Sequence, residues 1–177
     1  SMVKFVVSTN DEGVSDSSFI DESTIKNDII LCSVPSGFQN IIRKVSCGMK
    51  YMLQSYTFDF FLKTDDDSTI CLGSLLNHLY SQRSSLNAAY FGRKLKTDRT
   101  IPTDKPLVKN LGLLKDPQHF GGHGYGVSYD VIVYLQWLME HFPVYHHLHE
   151  DTNFGLWLMP LNIKRVSIGS MDKYIKP

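Results

Sequence analysis

Little in this 177-residue sequence is abundant enough to mark a compartment or a partner. Three cysteines, Cys32, Cys47 and Cys71, are too few for a disulfide framework, and none stand in C-x-x-C spacing. They are left as buried thiols, or as one disulfide if the compartment is oxidising. Neither sign of charge is in excess, with 18 basic residues against 18 acidic ones, so no global field favours nucleic acid or a membrane surface. No run reaches the roughly 18 apolar residues of a membrane span. The opening SMVKFVVSTN has no cationic segment followed by a long apolar run, which excludes a signal peptide there. There is no N-x-[ST] acceptor, no internal repeat and no low-complexity tract. What remains is ordinary globular composition, 42% hydrophobic and 20% charged, in a chain long enough to bury a core without staples.

The patterning alternates between two periods. VKFVVST and NDIILCSV read as short buried strands, rich in β-branched residues. Between Phe38 and Leu53, apolar residues at Ile41, Ile42, Val45, Met49, Met52 and Leu53 trace one helix face. FDFFL is a third strand. Ser68 is placed to cap a helix whose apolar face is Leu72, Leu75, Leu76 and Leu79. NAAYFG is a fourth strand, residues 94–117 read as a long loop, and GGHGYGVS reads as a glycine-rich turn. SYDVIVYLQWLMEHF is an amphipathic helix with Val131, Leu135, Leu138 and Phe142 on one stripe. EDTNFGLWLM is a short helix, and LNIKRVSI is a closing strand. Strands alternating with helices predict one α/β domain over residues 1–177 with a largely parallel sheet.

The most unusual stretch is FFLKTDDDST at residues 60–69, an apolar strand ending in Asp65, Asp66 and Asp67. Ligands of open α/β sheets bind beyond the carboxyl ends of strands. Clustered hard oxygens suit Mg²⁺ or Mn²⁺, which cancels their mutual repulsion. A solvated acidic turn explains the cluster equally well. A calcium loop does not, because its sixth and twelfth positions, counted from Asp65, hold Ile70 and Leu76 where Gly and Glu are required. A phosphatase motif with a nucleophilic aspartate also fits the strand end, but its later pair of acids is absent. A second acidic site, Glu150–Asp151, opens the short helix, where the dipole keeps carboxylates ionised. An ionised carboxylate facing a cleft can accept a hydroxyl proton.

Taken together, the D-D-D strand end, the GGHGYGVS turn and EDTNFGLWL resemble the inverting glycosyltransferases that include the β-1,3-galactosyltransferases, the β-1,3-N-acetylglucosaminyltransferases and Fringe. NDIILCSVPSGFQNIIRKVSCGMKYM follows the same pattern upstream, and the resemblance covers about residues 3–166. FFLKTDDDS and EDTNFGLWLMPLNI also resemble the motifs of the proteoglycan-linker β-1,3-galactosyltransferases. The resemblance implies a GT-A, Rossmann-like mixed sheet flanked by helices. It implies a UDP-sugar donor, most simply UDP-galactose, and the 3-hydroxyl of an acceptor glycan on a glycoprotein or proteoglycan linker. Asp67 would hold Mn²⁺ (or Mg²⁺) on the diphosphate with Asp65. Asp65, Asp66, Glu150, Gly122 and Gly124 would face the substrate, and Asp151 would be the catalytic base. It further implies the Golgi or endoplasmic reticulum lumen, through an upstream membrane anchor.

The sequence departs from the family at several points. The family's first strand and helix are missing ahead of Val3, as expected of a fragment or of an atypical member. No histidine follows His149, where the family often has one near Ser167 as a further metal ligand. His123 stands where small residues are usual, and Thr152 where Val is common. These departures leave open a relative that keeps the fold but only binds a glycan or partner. Residues 93–115 carry seven basic side chains against Asp98 and Asp104, which suits a diphosphate or an acidic acceptor, or a solvated loop. His141, His146, His147 and His149 lack the cysteine spacing of structural zinc, and Tyr145 and Trp157 fit core packing or a sugar platform.

Overall fold

A computed structural model of the chain describes residues 2–8, 21–22, 25–92, 95–96, 118–121, 124–144, 149–168 and 175–176. It divides into two compact units, residues 1–58 with 133–149, and residues 59–132 with 150–177.

In the first unit, β1 (Phe5–Ser8) and β2 (Ile29–Cys32) pair in parallel, Phe5 opposite Ile29. Helix α1 (Ile41–Ser55), entered through a 3₁₀ turn at Phe38–Asn40, packs on both strands. It buries Ile42, Val45, Gly48 and Met49, while Ile41, Met52 and Leu53 are half-buried. Cys32 and Cys47 form a disulfide with Cα atoms 6.1 Å apart, tying β2 to α1; Cys71 is free and exposed.

The second unit is built on a four-stranded sheet of order β3-β8-β5-β9: β3 (Phe60–Lys63), β8 (Tyr125–Ser128), β5 (Ala89–Gly92) and β9 (Lys164–Ser167). The β8 strand runs antiparallel to both neighbours, and β5 runs parallel to β9, so this sheet is mixed rather than largely parallel. The alternation of strands and helices cannot reveal that the described element before β8 is another strand, His119–Phe120. Two-stranded ribbons join β4 (Thr69–Ile70) to β10 (Ile175–Lys176), and β6 (Leu95–Lys96) to β7 (His119–Phe120). Helix α2 (Leu72–Ser81) begins at Cys71 with no side-chain cap, so Ser68 is not its cap; β4 stands between them.

Period-two alternation covers both faces of the sheet. Ala89 and Phe91 of β5 pack with Leu75, Leu79, Leu86 and Ile168 on the α2 side. Tyr90 points the other way, into a ring cluster with Phe120, Tyr125 and Phe154, with centroids 4.8 to 6.4 Å apart. Phe154 belongs to α4 (Glu150–Leu158), so α4 covers the second face. The glycine-rich stretch is only partly a turn: Tyr125–Ser128 is the buried centre of the sheet. Gly126 is required there because a Cβ would lie 2.5 Å from the Phe91 ring. Helix α3 (Tyr129–His141) buries Val131, Ile132, Leu135 and Gln136, whereas Phe142, placed on its apolar stripe by sequence, is exposed. No helix among the described residues is long and apolar enough to cross a membrane.

Candidate functional site

Strand register places the site. Lys63, the last residue of β3, lies directly opposite Tyr125 of β8, so both side chains stand on the face covered by α4. Helix α4 presents its first turn there, with Glu150 and Asp151, where the helix dipole favours negative charge. The Lys63 ammonium contacts Asp65, and it lies 2.8 Å from Glu150 Oε1. It also sits 5.8 Å from the centroid of the Tyr125 ring, a cation–π distance. The two acidic motifs, 85 residues apart from Asp65 to Glu150, therefore meet on one lysine. Sequence reading passed over Lys63 because a lysine at a strand end reads as solvated.

Asp151 is buried beside this group. Its Oδ1 accepts the Thr152 N–H at 2.7 Å, and its Oδ2 lies 3.9 Å from Nε2 of buried His119 on β7. That close approach of α4 to β7 depends on Gly155, where a Cβ would stand 2.7 Å from the Gln118 carbonyl oxygen. Arg165 of β9 donates to the Leu158 carbonyl at 2.7 Å and so satisfies the other end of α4. His119 carries no sequence signal; only the pairing of β7 with β6 and its packing on α4 bring it to Asp151.

Electrostatics here are set by carboxylates gathered around the Lys63 ammonium. Burial alone lowers the Lys63 pKa, but Glu150 and Asp65 outweigh it, and the net direction is upward. Lys63 is charged at neutral pH. Burial, reinforced by Glu150, pushes the Tyr125 phenol well above its usual value. Tyr125 Oη is fully buried, and no geometric hydrogen bond reaches it among the described residues, with Glu150 its nearest acceptor. Burial raises the Tyr90 phenol too, and Tyr90 Oη accepts the Phe120 N–H at 3.0 Å.

The remaining predicted residues divide clearly. Asp65 is half-buried and joined to Lys63, while Asp66 and Asp67 are exposed in the turn that follows. Ser68 Oγ is 3.5 Å from Asp67 Oδ1, and the Ser68 N–H donates to the Asp65 carbonyl at 3.2 Å. Among the described residues, no group of three or more His, Cys, Asp or Glu gathers as a ready metal cage. Gly124 closes a turn, its N–H 3.3 Å from the Gly121 carbonyl. Gly122, His123, Tyr145, His146, His147 and the basic segment around Arg93, apart from Lys96, lie outside the described residues. Trp157 is buried near Phe154, so it is core. His149 meets Phe38 edge-on, and His141 stacks on Trp137.

Comparison with known proteins gives these residues a context. A family model described as Galactosyltransferase matches residues 2–169. The chain is 25% identical over 152 residues to UDP-GalNAc:beta-1,3-N-acetylgalactosaminyltransferase 2 of Mus musculus, covering 86% of this chain and 30% of that protein. It is 27% identical over 140 residues to beta-1,3-galactosyltransferase 6 of Mus musculus, covering 77% and 42%. To the protein named probable beta-1,3-galactosyltransferase 5 of Arabidopsis thaliana it is 24% identical over 174 residues, covering 93% and 43%. The chain thus spans less than half the length of these relatives.

Proposed function

Because the chain belongs to the galactosyltransferase family, we propose that it is the catalytic part of an enzyme transferring a hexose from a UDP-sugar to the 3-hydroxyl of an acceptor glycan. The observation that carries this reading is the meeting of the D-D-D strand end and the Glu150–Asp151 helix start around Lys63. Transfer needs a base on the acceptor side and charge stabilisation on the leaving-group side. These two acidic stretches supply one each. Galactose is the simplest donor sugar, and a relative named for UDP-GalNAc adds N-acetylgalactosamine as a second.

Asp151 suits the base. Its Oδ1 is held by the Thr152 N–H, which fixes the carboxylate while Oδ2 remains to take a proton. The acceptor oxygen attacks the anomeric carbon as the bond to the diphosphate oxygen breaks. The hydroxyl proton passes to Asp151, the bonding pair leaves with UDP, and the anomeric centre inverts. Glu150 and Asp65, fixed by Lys63, face the donor sugar with Asp66, and Gly124 allows backbone to approach it. Asp67, with Asp65, would hold Mn²⁺ or Mg²⁺. Hard carboxylates in an exposed turn, with water completing the shell, fit a cation that binds through one or two carboxylates and substrate phosphates. Such a cation supplies Lewis-acid stabilisation of the departing diphosphate. The Cys32–Cys47 disulfide supports an oxidising compartment, in keeping with the Golgi or endoplasmic reticulum lumen and an anchor elsewhere in the protein.

The test uses the full-length protein with UDP-galactose and UDP-GalNAc, with and without Mn²⁺, on a panel of glycan acceptors. A β-1,3-linked product dependent on Mn²⁺ is expected. Asp151→Asn should keep UDP binding and lower kcat about 100-fold or more. Equal transfer by that variant removes Asp151 as base. Glycan binding with no turnover on either donor selects a non-catalytic relative instead.

A further inference from the structure

We propose that Lys63 is a positioning residue that sets the grip on the donor sugar, acting through Asp65 and Glu150; this rests on the reading of the site above. Lys63 is 12% exposed at its side chain and Glu150 10%, so the pair is nearly dry. One ammonium there serves two carboxylates, which leaves the group with a net negative charge. A buried arrangement of that kind is a poor way to gain stability, since apolar residues of similar volume commonly do as well or better. Two features argue that this charge is kept for a ligand.

First, each carboxylate is the sequence neighbour of a site residue. Asp65 leads into Asp66 and Asp67, and Glu150 precedes Asp151. A cation that fixes Asp65 and Glu150 therefore fixes the separation of the strand end and the helix start. The cross-strand register makes this placement rigid: Lys63 faces Tyr125, whose ring is fully buried and forms a floor beneath the ammonium. Second, the fully buried Tyr125 Oη has no geometric hydrogen bond among the described residues, and the Glu150 carboxylate stands close beside it. A buried hydroxyl without a partner is costly, and a small rotation of Glu150 would satisfy it. A cation, a carboxylate and a phenol thus meet where the strand end joins the helix start.

The experiment compares Lys63→Met, Lys63→Arg, Glu150→Gln and the Lys63→Met/Glu150→Gln double variant in the full-length protein. Calorimetry in Mn²⁺ buffer gives the affinities for UDP and for UDP-galactose, alongside KM, kcat and melting temperature. Lys63→Met is expected to weaken UDP-galactose about tenfold, with a distinctly smaller loss for UDP, whose metal keeps Asp67. The losses from Lys63→Met and Glu150→Gln should not multiply in the double variant, because one acts through the other. Lys63→Arg keeps the charge and the fold, so it guards against a variant that simply unfolds. It should retain the melting temperature yet weaken UDP-galactose, because a guanidinium fork does not reproduce a point ammonium. A structural lysine would lower the melting temperature and weaken UDP and UDP-galactose together, with losses that multiply; that result overturns the proposal. Unchanged affinity in Lys63→Arg and Lys63→Met overturns it as well. If the wild type binds UDP-galactose but never transfers it, the enzymatic reading fails while Lys63 is still judged by affinity. If the wild type binds neither nucleotide, both fail. If it transfers and the Lys63 variants match it, Lys63 alone fails.

Discussion

Two buried tyrosines in the same ring cluster make opposite demands on their hydroxyls. Tyr90 Oη accepts the Phe120 N–H at 3.0 Å, so Tyr90→Phe leaves a buried amide unpaired and should destabilise by about 1–3 kcal/mol. No geometric hydrogen bond reaches Tyr125 Oη among the described residues, so Tyr125→Phe should alter unligated stability by less than about 1 kcal/mol. Chemical denaturation of the two variants measures the difference directly. A large loss at Tyr125 would show that Glu150 already accepts its proton in solution. The contrast also explains why residue-level roles were hard to read from sequence. Both are tyrosines on apolar strands, and only the register that sets Tyr125 against Lys63 distinguishes them.

At the scale of elements, α4 is the piece whose placement matters most. Gly155 lets it lie against β7, and Gly155→Ala would bring a methyl within 2.8 Å of the His119 Cβ. Overpacking of this kind costs about 1–3 kcal/mol, and it would also shift Asp151 relative to His119. Lower stability together with a lower kcat is therefore expected from Gly155→Ala, measured by melting and by transfer. Element existence was largely legible: β1, β2, β3, β5, β9 and helices α1 to α4 all follow their apolar periods. The misreadings have physical causes. Glycine usually signals a turn, yet Gly126 sits inside a strand because the Phe91 ring needs its missing Cβ. Ser68 has the chemistry of a cap, but Thr69–Ile70 finds a strand partner in Ile175–Lys176, at the far end of the chain. The acids of the site were legible as charges, whereas the lysine joining them depends on pairing that sequence spacing does not encode. The disulfide was legible only as one of two fates for its cysteines. Breaking it by Cys32→Ser/Cys47→Ser should lower stability by about 3 kcal/mol, read from denaturation in the absence of reductant.

Across the whole molecule, three buried groups set the alkaline limit. Tyr90, Tyr125 and Lys63 all hold their protons more tightly folded than unfolded. The unfolded chain loses those protons first, so stability is fully present below pH about 10 and falls as pH rises beyond it. Melting temperatures between pH 8 and 11 should decline only at the upper end, with the buried phenols remaining un-ionised in the near-ultraviolet until unfolding begins. The division of the chain has a further effect, on the order in which the protein can be made. Each unit is assembled from two separated stretches, so neither is complete until the C-terminal third has been synthesised. Chains fold from the N-terminus as they emerge. Residues 1–58 must therefore wait on the ribosome for residues 133–149, and the sheet centred on β8 must wait for β9. The Cys32–Cys47 bond spans 15 residues inside the first stretch, so it can close during that wait. It would act as a covalent bookmark, holding β2 against α1 until the rest of its unit arrives.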